Sequence, residues 1–70
     1  MSTKKQFFLN GHKFYITVNI TLSDLISYFN YTTSLFVLEY NNSICEKTQW
    51  NKIFITNNDK IEIVTIVGGG

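Results

Sequence analysis

Residues 6–29 read QFFLNGHKFYITVNITLSDLISYF, and this stretch decides the fold. The short apolar run from Gln6 to Leu9 ends at Asn10-Gly11. Asn-Gly is the strongest two-residue hairpin signal, because a type I′ turn needs positive φ at both central positions. After it, Phe14, Ile16, Val18 and Ile20 alternate with Lys13, Tyr15, Thr17 and Asn19. A period of two marks a half-buried strand, so the chain opens with a β-hairpin. Thr21 then reads as a helix N-cap, with Asp24 at the third helical position, where a carboxylate suits the helix dipole. Leu22, Leu25, Ile26 and Phe29 follow at i, i+3, i+4 and i+7, one apolar face of a helix of about three turns. The pattern fades over the polar residues 30–34.

Working outward, Leu35 to Tyr40 predicts a third strand, Asn41-Asn42 a turn, and Ser43 to Cys45 a short edge strand. Glu46 to Asn51 is polar and irregular, anchored by Trp50. Ile53 to Thr56 predicts a short extended piece, Asn57-Asn58-Asp59 a turn, and Ile61 to Val67 a strong final strand. One helix must cover one face of one sheet to make a core. The order strand, strand, helix, strand, short strand, strand therefore predicts an α+β chain with the β-grasp, or ubiquitin-like, fold: a mixed sheet of four to five strands under one main helix.

Composition bounds what such a chain can do. With 70 residues it reads as a single domain, residues 1–70, and a domain this small buries only about 60% of its unfolded surface. That leaves no room for a deep catalytic cleft. The hydrophobic fraction of 44% argues for a folded chain rather than a disordered one. A net charge of +1 lacks the basic footprint of a nucleic-acid binder. No stretch approaches the roughly 18 apolar residues of a membrane span, and the apolar run after Lys4-Lys5 is too short for a signal peptide. The single Cys45 fits a reducing compartment, since small secreted domains usually carry paired cysteines. Alanine, proline and arginine are absent while Ile, Asn, Lys, Phe and Tyr abound, the bias of an AT-rich genome such as a plastid or a reduced bacterium.

The chemistry is expected at the other end. Three of the four glycines are Gly68, Gly69 and Gly70. A strand running into glycines makes an arm without side chains, free in its backbone and narrow enough for a tunnel in another protein. A terminal carboxylate on such an arm can attack the α-phosphate of ATP to give an acyl-adenylate, from which a sulfur nucleophile displaces AMP. The chain has no glycine-rich phosphate loop, so activation is expected on a partner. The bland alternative is a frayed terminus with no role.

Asn10-Gly11, Thr21-Leu22 with Asp24-Leu25, Glu39, Asn41, Ile44, Trp50 and the closing run from Asp59 to Gly70 together resemble the ThiS family, the sulfur carriers of thiamine (thiazole) biosynthesis. The resemblance spans about Lys5 to Gly70. It implies a protein co-substrate rather than an enzyme, with no cofactor of its own. An adenylating enzyme of the ThiF type would activate Gly70 with ATP and magnesium. A cysteine desulfurase system would supply sulfur. The Gly70 thiocarboxylate would then feed thiazole synthase, ThiG. The single cysteine and the residue bias lead to the expectation of a cytoplasmic location, or the plastid stroma if the gene is plastid-encoded, and the chain is expected as a monomer or weak homodimer. Asn58 stands where the family often has glycine, and Asn tolerates positive φ better than most residues. Cys45-Glu46-Lys47 replaces a segment that often carries proline and arginine. The rival readings are the small subunit of molybdopterin synthase, whose family usually has a longer chain and a proline near the tail, and a plain β-grasp interaction module.

Other residues weigh less. Cys45 has no second cysteine, histidine or arginine in its neighbourhood to make it a sulfur relay, and half-buried filler is the better reading. His12, the only histidine, reads as an exposed turn residue, and Trp50 as a core anchor. If Ile61 and Ile63 face the helix, Val64 and Ile66 face away as exposed apolar residues, which usually mark an interface. Val64 and Ile66, with Phe36 or Leu38 of the third strand, are therefore expected to dock partner enzymes.

Overall fold

The computed structural model describes residues 4–29 and 36–65. Strand β1 (Lys5–Leu9) turns back into β2 (His12–Ile16) through Asn10 at φ 51° and Gly11 at φ 83°, the positive pair that a type I′ turn requires. Helix α1 (Leu22–Tyr28) follows, then β3 (Phe36–Tyr40), β4 (Ser43–Cys45), a 3₁₀ turn at Lys47–Gln49, and β5 (Asp59–Thr65). The β3–β4 turn also uses positive φ, at Asn41 (51°) and Asn42 (73°), and Asn58 before β5 sits at 71°. The sheet order is β2-β1-β5-β3-β4. Only β1 and β5 run parallel; the other pairs are antiparallel, so the sheet is mixed, as the β-grasp reading expects.

The helix starts where the sequence places it. Asp24 N–H donates to Thr21 Oγ1 (3.1 Å) and Thr21 N–H donates to Asp24 Oδ2 (2.9 Å), a reciprocal capping box. Two further first-turn donors reach loop carbonyls: Leu22 N–H to Ile53 O (3.0 Å) and Ser23 N–H to Trp50 O (3.1 Å). Helix-end donors need such partners when water is excluded. The helix spans 7 residues, about two turns rather than three, and a helix that short is marginal on its own. Its stability comes from burying Leu22, Leu25 and Ile26 against Phe7, Leu9, Leu38, Ile55 and Ile61.

One other expectation is corrected. The alternation from Phe14 to Ile20 does not continue as one strand, because β2 ends at Ile16, opposite Lys5 at the start of β1, and has no partner beyond it. Val18 consequently stands out in solvent at 62% exposure. Ile53 to Thr56 pairs as a short extended piece would, through one isolated antiparallel bridge from Thr21 to Phe54, and it buries Ile55 in the core.

Candidate functional site

The expected reactive end, Gly68 to Gly70, and the expected docking residue Ile66 lie outside the described residues. What the structure builds is the root of that arm. Strand β5 is the middle strand of five, held by β1 on one side and β3 on the other. Residues of both hairpin turns reach across to clamp it. Ile63 N–H donates to Asn10 Oδ1 (2.8 Å), and Asn10 N–H to Ile61 O (2.9 Å). From the other flank, Lys60 N–H donates to Asn41 Oδ1 (2.8 Å), and Asn41 N–H to Lys60 O (2.8 Å). The turn asparagines therefore do two jobs: they adopt positive φ and they fix the strand that leads to Gly70.

Asp59 opens β5 and is buried, which the reading of Asn57-Asn58-Asp59 as a plain turn missed. Its carboxylate accepts from Thr56 N–H (2.7 Å) and Tyr40 O–H (2.7 Å) on Oδ2. Oδ1 accepts from Thr56 Oγ1 (3.0 Å) and Asn41 Nδ2 (3.1 Å). Burial pushes this carboxyl up, but the hydrogen bonds from Thr56, Tyr40 and Asn41 pull it further down, and the net shift is below the ordinary value. Tyr40, partly buried and bonded to that anion, is pushed up to about 12, so its hydroxyl stays a donor.

The faces of the sheet follow from register. In an antiparallel pair, directly opposed residues share a face. Phe36, Leu38 and Tyr40 oppose Thr65, Ile63 and Ile61, and Ile61 is in the core beneath α1. Leu38 is fully buried and Phe36 stacks on Trp50 with ring centroids 5.6 Å apart. Both face the helix, so the expectation that they join Val64 in docking a partner is corrected. The β3 residues that share the open face with Val64 are Val37, opposite it, and Glu39, opposite Glu62. Ile44 of β4 opposes Glu39 and is 67% exposed, while Val64 is 42% exposed. The open face near the end of β5 thus carries Val37, Ile44 and Val64 around two glutamates. The alternation within β5 predicted Val64 correctly; Ile44 was visible only once the pairing of β4 was known.

Cys45 is half-buried, and burial with the neighbouring Glu46 pushes its thiol up, away from the thiolate a relay needs. Trp50 is buried and donates Nε1–H to Cys45 O (2.9 Å), as an anchor would. His12 is exposed at the start of β2. Among the described residues no group of three or more His, Cys, Asp or Glu is placed to hold a metal ion, and no helix is long and apolar enough to cross a membrane.

With that geometry in place, comparison with known proteins is specific. Residues 8–70 match the model of the ThiS family. A protein named "Uncharacterized protein ycf40" from Trieres chinensis is 63% identical over 70 residues, covering 100% of this chain and 96% of the relative. The ycf40 protein of Porphyra purpurea is 31% identical over 62 residues, covering 89% and 87%. Among solved structures, a thiamine biosynthesis protein (ThiS) from Geobacter metallireducens superposes with a TM-score of 0.79 over 93% of this chain and 99% of that one, at 18% identity. At that identity the superposition speaks for the fold alone, and it agrees with the β-grasp arrangement seen here.

Proposed function

The chain belongs to the ThiS family, and from that premise we propose that this ThiS-like sulfur carrier works through a Gly70 thiocarboxylate that donates sulfur for thiazole formation in thiamine biosynthesis. The observation that carries the reading is the extent of the family match, which runs through the glycines to residue 70. The Gly70 carboxylate attacks the α-phosphate of ATP, pyrophosphate leaves, and the acyl-adenylate forms on a partner of the ThiF type that holds the ATP and magnesium. A persulfide sulfur drawn from a cysteine desulfurase system displaces AMP to give an acyl disulfide, and a thiol reductant cleaves its S–S bond to leave the thiocarboxylate. Thiazole synthase consumes the product. In this scheme the chain is a co-substrate, not an enzyme. The plastid stroma suits both the AT-rich residue bias and the ycf40 names of the relatives.

The described part of β5 ends at Thr65, five residues before Gly70. Five extended residues reach at most about 17 Å, so a partner must dock close to the sheet to receive the carboxylate. The open face around Val37, Ile44 and Val64 is the surface we assign to that docking. Glu39 directly opposes Glu62 there, and opposed like charges destabilise a sheet, so a cationic side chain from the partner would relieve the pair. Adding one residue after Gly70 tests the scheme. ATP–pyrophosphate exchange by a matching adenylating enzyme should vanish with the extended chain while binding to that enzyme persists. Exchange at the unextended rate would refute carboxylate activation and favour a plain interaction module.

A further inference from the structure

At the opposite edge of the sheet from β4, the β2 strand has no strand on its outer side among the described residues, so a row of its backbone N–H and C=O groups faces outward. Such an edge is a template for another strand. Beside it, between β2 and α1, runs a groove of about 370 Å³ whose walls include Phe14, Ile16, Val18, Leu25 and Tyr28. Val18 and Tyr28 are 62% and 81% exposed, a large apolar and aromatic exposure for so small a chain. Phe14 and Ile16 share the helix side of β2, since they oppose Phe7 and Lys5. Lys13 and Tyr15 lie on the open side, with Lys4 Nζ held 4.7 Å from the Tyr15 ring centroid and Lys13 Nζ 5.9 Å from that of Phe8.

The charges select the occupant. Residues 4–20 contain Lys4, Lys5 and Lys13 and no acid. Asp24, one helical turn from Tyr28, has its carboxylate committed to Thr21 N–H. A second copy of this edge would bring lysines against lysines. A strand from another protein would find its alternate side chains sorted by the two faces, one set against Phe14, Ile16 and Tyr28, the other beside Lys13 and Lys4. We propose that the β2 edge and the adjoining β2–α1 groove form a second binding site, which takes an extended acidic-apolar segment of a partner protein by strand addition. Strand β1 separates this edge from β5, and Val64 pairs on β5's other side with Val37 of β3, so a protein held here leaves the surface around Val37, Ile44 and Val64 open. The site would tether the carrier whatever happens at Gly70, and it does not rest on the sulfur chemistry.

The test uses the full-length chain labelled with ¹⁵N and two short synthetic peptides, one alternating Ile with Glu and one alternating Ile with Lys. The Ile/Glu peptide should shift the amide signals of His12 to Ile16, Val18 and Tyr28 and bind about ten-fold more tightly than the Ile/Lys peptide, roughly 1.4 kcal/mol. Lys13→Glu should erase that preference, since it leaves Lys4 beside one new anion, and Tyr28→Ser, at an exposed position, should weaken both peptides. Equal affinities, shifts confined to Val37, Ile44 and Val64, or no shifts at all would overturn the proposal. So would β2 shifts that depend on protein concentration without peptide, which would mark pairing between copies of this chain instead.

Discussion

Replacing Asp59 by Asn isolates the polar lock at the root of β5. The carboxylate accepts four hydrogen bonds, two on each oxygen, and the residue is 5% exposed. An amide has the same shape but turns one oxygen into a donor group, which then faces two donors. The Thr56 hydroxyl can rotate to accept, so one bond is recoverable and another is lost. Bonds to a charged group contribute roughly 1.5–3 kcal/mol each, and the surviving pair weakens when the charge goes. The variant should lose about 2–3 kcal/mol. Folding stabilities run at about 0.05–0.15 kcal/mol per residue, so a chain of this length remains folded but with a much smaller margin. Urea unfolding followed by fluorescence of Trp50, the one tryptophan, reads this directly. With a slope of about 1 kcal/mol/M, the midpoint should fall by about 2 M. The pH dependence supplies an independent check. Asp59 titrates below the ordinary aspartate value of about 3.9 in the folded chain, so its stabilisation is present above that pH and is lost as pH falls through the lowered folded value. The unsubstituted chain should lose stability on acidification in that window, and Asp59→Asn should lack that share of the slope. A midpoint moved by less than about 0.5 M, or an acid slope unchanged by the substitution, would refute the lock.

Val64→Asp places a charge on the open face without touching the core, so it should weaken binding to the adenylating enzyme at least ten-fold, about 1.4 kcal/mol, while the thermal midpoint moves little; titration calorimetry and a melting curve check the two halves. Cys45→Ser should leave sulfur loading at Gly70 intact, and the Cys45 thiol, pushed up by burial and Glu46, should react with iodoacetamide more slowly at neutral pH than a free cysteine does; loss of loading in the serine variant would restore the relay reading.

Local rules made some of this molecule legible in its sequence. Asn10-Gly11 demanded a type I′ turn, Thr21 with Asp24 demanded a capped helix start, and the alternation in β5 put Ile61 inward and Val64 outward, and the structure has all three. What could not be read depends on pairing between distant segments. The period of two in β3 leaves open which set faces the helix; the opposition of Leu38 to Ile63 decides it, and puts Val37 and Ile44 rather than Phe36 and Leu38 on the open face with Val64. The alternation through Val18 and Ile20 looked like strand, but a strand lasts only as long as its neighbour, and β1 begins at Lys5. Asp59 has the composition of a turn residue, yet its partners Tyr40 and Asn41 lie 19 and 18 positions away, beyond any local pattern. The expected reactive end shows the opposite case: Gly68 to Gly70 are conspicuous from composition, and β5, the described strand that precedes them in the chain, is the middle one of the sheet.

The central claim is that Gly70 carries sulfur, and intact-protein mass spectrometry tests it most directly. The chain is incubated with ATP, magnesium, a matching adenylating enzyme and a sulfide source. The account predicts a mass increase equal to the exchange of one oxygen for one sulfur, mapped by fragmentation to Gly70. An unchanged mass, with the same enzyme shown to be active on another carrier, would contradict it.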